Sequence, residues 1–221
     1  MSKKNISQEK IIQAFLSSAF DKSAGGTSLA DVADSLEIKK ASLYNHFDSR
    51  EAMYAASVEY CKNQIGAVEF LIPKLADSLL DGKTTVQSAF KKLISRYFAL
   101  FDSEPLFKMY VFVHTEQYFN VECLKIVQAQ AEKMAENIRT LFDCAVAVKA
   151  FKPKTEKELK DLCLDCTSLI LQQLDSYIAV RKETVRLNPE TGAGSLFELP
   201  SDNNIINRAV KLVEAFLNCL G

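Results

Sequence analysis

The chain is predicted to be all-α, with a small amino-terminal three-helix unit followed by a larger helical body, about nine helices in total. Three observations predict it. Apolar residues recur at spacings of three and four in one segment after another, the mark of helices with one buried face. Two segments open on Asp48 or Thr155 with Glu three residues on, the signature of a capped helix start. Gly and Pro gather between these segments, at Gly25, Gly26, Pro73, Gly82, Pro105, Pro153 and Pro189.

Residues 2–8 are short and polar; Lys3 and Lys4 there form either a solvated terminus or a flexible arm adding phosphate contacts. Over residues 7–21, Ile12, Phe15, Leu16, Ala19 and Phe20 form one stripe, and residues 23–26 a glycine-rich turn. Thr27 or Ser28 can cap the next helix, whose Leu29, Val32, Ala33 and Leu36 share a face. A turn follows at Glu37, Ile38 and Lys39, with Ile38 pinning it to the core. Residues 40–47 form a second helix with Leu43 and Phe47 inward at i, i+4. Its other face carries Lys39, Lys40, Ser42, Tyr44, Asn45 and His46. Cations, hydroxyls, an amide and an imidazole are the groups that bond phosphate oxygens and base edges in a major groove. Asp48, with Glu51 three residues on, is expected to open the next helix, and Arg50 lies in its first turn.

The pattern T-S-L-x-x-V-A-x-x-L-x-I-x-x-x-S-L-Y-x-H-F-x-S-R-E over residues 27–51 resembles the DNA-binding motif of the tetracycline-repressor (TetR) family of bacterial transcription regulators, most tellingly in S-L-Y-N-H-F. The resemblance covers roughly the first quarter of the chain. It implies a helix-turn-helix domain that binds an operator as half of a homodimer, and a variable helical domain behind it that binds a small-molecule effector and dimerises. By position, Tyr44 and His46 resemble the family's phosphate-contacting pair, Arg50 the basic residue opening helix 4, and Thr27 its capping, phosphate-touching hydroxyl. Lys40, Ala41, Ser42 and Asn45 would face the bases. The DNA-binding set is thus Thr27, Ser28, Lys39, Lys40, Ala41, Ser42, Tyr44, Asn45, His46 and Arg50. Two positions depart from the family pattern: Glu37 stands where Gly is usual, and Lys39 where Ser or Thr often caps. A non-glycine residue in a left-handed turn costs about 1 kcal/mol.

The expected domains are residues 1–47, a connecting helix over 48–71 that ends before Pro73, and residues 72–221. Residues 78–85 carry a break with Gly82 and a Thr cap. The helix after it shows Val86, Phe90, Leu93, Ile94, Tyr97, Phe98 and Phe101 on one wide face. Pro105 sits in a first turn, where Pro is tolerated, and residues 106–119 are the most aromatic stretch. Residues 121–148 form a long amphipathic helix through Leu124, Val127, Met134, Ile138, Leu141 and Phe142. After the break at Pro153, Thr155 and Glu158 make a capping box for a helix reaching about Val185. Residues 186–201 read as a surface loop, a lid or disorder. The last helix, over 202–220, has a wide apolar arc, and with the helix before it is expected to pair with a second copy through Leu169, Leu174, Ile206, Val210, Val213, Phe216 and Leu217.

The candidate effector pocket comprises Tyr97, Phe101, Phe107, Tyr110, His114, Tyr118, Phe142, Gln173 and Tyr177; a phenylalanine-rich core needs the same residues. Its composition favours a mostly apolar or aromatic effector. Cys163 and Cys166 form a CxxC with no second pair to complete a metal site, so they read chiefly as buried thiols. A thiol sensor at Cys123, Cys144 or the pair is the alternative. The net charge of -1 argues against indiscriminate coating of nucleic acid; basic character is local, with Lys39, Lys40 and Arg50 against Asp48 alone over residues 39–50. Six irregularly spaced cysteines, no signal-like run and no long apolar segment lead to an expected cytoplasmic location without membrane contact. No catalytic or cofactor signature is present; the function that the resemblance implies is an effector-controlled DNA-binding regulator, most simply a repressor. The alternative is a helical ligand-binding or protein-interaction module that has lost DNA binding.

Overall fold

The computed structural model describes residues 6–188 and 203–219. Among these the chain is helical without strands: α1 (Gln8–Gly26), α2 (Leu29–Ser35), α3 (Lys40–Leu43), α4 (Arg50–Gly66), α5 (Leu75–Leu80), α6 (Val86–Asp102), α7 (Leu106–Glu116), α8 (Val121–Ala147), α9 (Glu156–Leu187) and α10 (Asn203–Asn218). The Lys3 and Lys4 arm, and residues 189–201 of the expected loop, lie outside the described residues.

Several boundaries differ from expectation. The segment after Pro73 forms a short extra helix, α5, entered through Lys74 in the left-handed region. α4 stops at Gly66 instead of residue 71, because glycine is a poor helix former and Phe70, fully buried, needs the chain to leave the helix axis before it. Ser49, not Asp48, caps that helix by accepting from the Ala52 amide at 3.0 Å.

The chain divides into two compact units, the first made of residues 1–68 and 105–128, the second of 69–104 and 129–221. In the first, α1 packs on α2, α4 and α7, and α2 on α3. The stripe read from the sequence is its centre, since Ile12, Phe15, Leu16, Ala19 and Phe20 are all buried. Phe15 meets Phe112 edge-on at 6.1 Å, and Phe20 meets Phe107 at 5.2 Å. Truncating such a ring to Ala costs about 3–5 kcal/mol.

In the second unit α6 packs against α5, α9 and α10, with Phe90, Leu93, Ile94, Tyr97, Phe98 and Phe101 inside. Phe70 stands edge-on to Tyr97 at 4.7 Å, and Phe98 lies 5.4 Å from Tyr177. Asp102 and Arg181 form a mostly covered ion pair at 2.8 Å. The expected Thr155–Glu158 capping box opens α9, with both reciprocal bonds formed. α10 turns Ala209, Val210, Val213 and Leu217 into the chain, where it packs on α6 and α9.

Candidate nucleic-acid interface

The motif begins at a kinked corner. Ser23 adopts φ 70° near the end of α1, and Thr27, only 1% exposed, donates its hydroxyl to the Ser23 carbonyl at 2.9 Å. Thr27 therefore does not cap α2. Ser28 does, accepting from the Asp31 amide at 3.2 Å while its own amide donates to the Asp31 carboxylate at 2.8 Å. Lys22 also pairs with Asp31, at 2.5 Å.

α2 ends in a Schellman turn: the Ile38 amide donates to the Ala33 carbonyl and the Glu37 amide to the Asp34 carbonyl, both at 3.0 Å. The residue between must be left-handed, and Glu37 is, at φ 55°. The substitution for glycine leaves the turn's geometry intact and costs backbone strain instead.

α3 is shorter than expected. Its α-helical part ends at Leu43, and the Asn45 and His46 amides then bond three residues back, to Ser42 and Leu43. Ser and Asn compete with regular helix geometry, and the tighter turn that results is the 3₁₀ form. The Phe47 amide still reaches the Leu43 carbonyl at 3.0 Å, so both anchors face inward, Leu43 being 1% exposed and Phe47 9%. Gln8, at the start of α1, donates to the His46 carbonyl at 3.0 Å and ties down the end of this segment. Nothing local in the sequence signals that bond.

On the opposite side Lys39, Lys40, Ala41 and Asn45 are exposed, Tyr44 is 50% exposed, and Ser42 and His46 are half-buried. One short convex edge thus presents two ammonium groups, a phenol, an amide and an imidazole. Arg50 is placed differently. Its Nε donates to the Thr27 carbonyl at 2.8 Å and an Nη to the Ala24 carbonyl, so the guanidinium lies against the α1–α2 corner.

The effector-pocket residues are divided between the units, with Phe107, Tyr110, His114 and Tyr118 in the first and Tyr97, Phe101, Phe142, Gln173 and Tyr177 in the second. Six of them are packed as core: Tyr97, Phe101, Phe107, Tyr110, Phe142 and Tyr177. His114 and Gln173 are half-buried, with the His114 ring stacked on Tyr110 at 3.7 Å. Tyr118 sits on the α7–α8 turn, 80% exposed. Gln130, unmarked in the sequence reading, donates to the buried Tyr97 hydroxyl. Clefts occur elsewhere: one of about 410 Å³ on α10 beside Arg208 and Lys211, and one of about 280 Å³ between Leu79, Val86, Val148 and Phe151.

Of the seven expected dimer positions, Leu174, Val210, Val213 and Leu217 are buried inside the chain, spent on the packing of α6, α9 and α10. Leu169, Ile206 and Phe216 are half-exposed. Among the described residues no group of His, Cys, Asp and Glu is arranged to hold a metal, and Cys163 and Cys166 are both buried.

A small helical head that shows a short polar helix behind a Schellman turn is the architecture of a helix-turn-helix DNA-binding protein. Residues 11–57 match the family described as bacterial regulatory proteins, tetR family. The chain is similar to the IcaR negative transcriptional regulator of the biofilm operon icaADBC from Staphylococcus epidermidis, 40% identical over 76 residues. That match spans 34% of this chain and 40% of the relative. With IcaR of Staphylococcus aureus strain Newman it is 27% identical over 172 residues, 77% of this chain and 81% of the relative. Among solved structures, a TetR transcription regulator from Haloarcula marismortui superposes with a TM-score of 0.59 at 12% identity, covering 96% of this chain and 97% of that one. A TetR regulator from Legionella pneumophila gives 0.54 at 18% identity, covering 96% and 98%. The amino-terminal segment thus matches the tetR family's DNA-binding region, and the chain as a whole shares the fold of the solved TetR regulators.

Proposed function

We propose that the protein acts in the cytoplasm as a homodimeric repressor that sets α3 into the major groove of an operator, under control of a small, mostly apolar or aromatic effector taken by the second unit. One observation carries the DNA arm. Over residues 39–47, α3 and the turn that closes it, Leu43 and Phe47 are buried, while Lys39, Lys40, Ala41, Tyr44 and Asn45 stand clear of the core. Lys39, Tyr44 and His46 are suited to phosphate, and Lys40, Ser42 and Asn45 to base edges. Repression is supported by the names of the two relatives, both negative regulators.

A second copy is best met by what α9 and α10 leave uncovered, namely Leu164 and Val180 on one and Leu212 and Phe216 on the other. The effector arm rests on polar groups set within an aromatic core, the Tyr97–Gln130 bond and the Asp102–Arg181 pair, which a ligand with one or two polar atoms could engage. To move such a regulator from 1:99 to 99:1, an effector needs about 5.5 kcal/mol of differential affinity.

The test is selection of duplexes from a random library by the full-length protein. The expected product is a two-fold symmetric site with half-sites about one helical turn or more apart. Tyr44→Ala should weaken all sequences alike, and Lys40→Ala or Ser42→Ala should shift which sequence is preferred. Recovery of no duplex above the input pool would overturn the reading in favour of a helical ligand-binding or protein-interaction module.

A further inference from the structure

Arg50 is the first helical residue of α4, where a cation opposes the positive end of the helix dipole. Its side chain folds back instead of outward. Nε donates to the Thr27 carbonyl at 2.8 Å and an Nη donates to the Ala24 carbonyl. Both acceptors belong to the corner where α1 ends, past the kink at Ser23, and Ser28, the cap of α2, follows Thr27 directly. α2 in turn packs on α3. A planar guanidinium can reach two carbonyls at once; an ammonium offers the same charge from a single atom.

We infer that Arg50 is a positioning residue, which locks the α1–α2 corner to α4 and so sets the angle at which α3 is presented, rather than one of the phosphate contacts. This rests on the reading of α3 as the DNA-docking helix. The Thr27 hydroxyl, turned inward to Ser23, belongs to the same lock.

The experiment uses the full-length chain and the duplex that the wild-type protein selects from a random library, with affinity measured over a series of salt concentrations. Arg50→Ala is expected to bind at least 10-fold more weakly at fixed salt, with the slope of log K against log salt unchanged. Lys39→Ala, as the comparison, should lower the magnitude of that slope by roughly 0.9 per bound subunit. Arg50→Lys keeps the charge but not the fork, and should show most of the same loss. Hydrogen exchange at the amides of residues 27–31 should speed up in both Arg50 variants without DNA. A slope reduced by roughly 0.9 per bound subunit in Arg50→Ala and restored in Arg50→Lys would show a phosphate contact and overturn the inference. So would a lowered melting temperature with unchanged affinity per folded molecule, which marks mere stabilisation. Should Arg50→Ala not fold, Arg50→Lys decides by the same two readouts. If the wild-type chain selects no duplex, the DNA reading falls, and hydrogen exchange alone decides the lock: unchanged rates defeat it, faster rates uphold it.

Discussion

The Tyr54 hydroxyl donates to the Glu116 carboxylate across 2.9 Å and accepts from the Asn120 amide at 3.1 Å, joining α4 to the end of α7 and the start of α8. Asn120 also accepts from the Glu122 amide at 2.8 Å, capping α8. Burial, above all, raises the Tyr54 phenol, so it stays protonated and able to donate. Tyr54→Phe keeps the ring beside Phe15 and Phe112 and loses only the two bonds. The expected cost is about 1 kcal/mol in urea unfolding. A variant as stable as the wild type would mean that water replaces both bonds without penalty.

At the turn before α3, Glu37 holds φ 55° on a residue with a β-carbon. Glu37→Gly should stabilise the protein by about 1 kcal/mol, because relief of left-handed strain exceeds the added chain entropy. Glu37→Ala, which keeps the β-carbon, should bring little of that gain. Equal effects from the two substitutions would shift the explanation from the backbone to the carboxylate.

Asp31 gives the head a pH dependence. The Lys22 ammonium, followed by the Ser28 amide and hydroxyl, holds its carboxyl well below the ordinary value of 3.8. A depressed carboxylate stabilises the fold above its unfolded value and loses that contribution as pH falls toward the folded one. Wild type should therefore unfold at a higher urea midpoint than Asp31→Asn at pH 6, with the gap closing below about pH 4. A gap independent of pH would assign the effect to capping geometry alone.

Burial is also the first cause of the thiol shifts. It pushes Cys123 and Cys163 up to about 11, Cys166 to about 12, and Cys61 and Cys144 upward as well. These are protonated, covered thiols, whereas Cys219 is exposed. At pH 8, iodoacetamide should label Cys219 quickly in the native protein and reach the other five only on unfolding, as read by peptide mass spectrometry. Fast native labelling of Cys163 or Cys166 would revive the thiol-sensor alternative.

What the sequence alone determined is the run of helices and the side of each that faces inward: Phe15 and Phe20, Leu43 and Phe47, the face of α6, and the box at Thr155 and Glu158. Those signals are local, because a helix repeats every 3.6 residues and a cap spans four. Even the left-handed Glu37 was legible, through the glycine usual at that position in the family pattern. The tertiary structure decided the rest. α4 ends at Gly66 because Phe70 belongs to a core its own segment does not make. Arg50 turns to carbonyls 23 and 26 residues away, and Gln8 to one 38 residues away, bonds with no periodicity to reveal them. The apolar arc of α10 could equally have met a second copy. That Val210, Val213 and Leu217 are buried on α6 and α9 follows from which neighbour lies close enough to cover them. Apolar patterning states that a face must be covered, and since the hydrophobic effect has no direction, only the assembled chain settles by what.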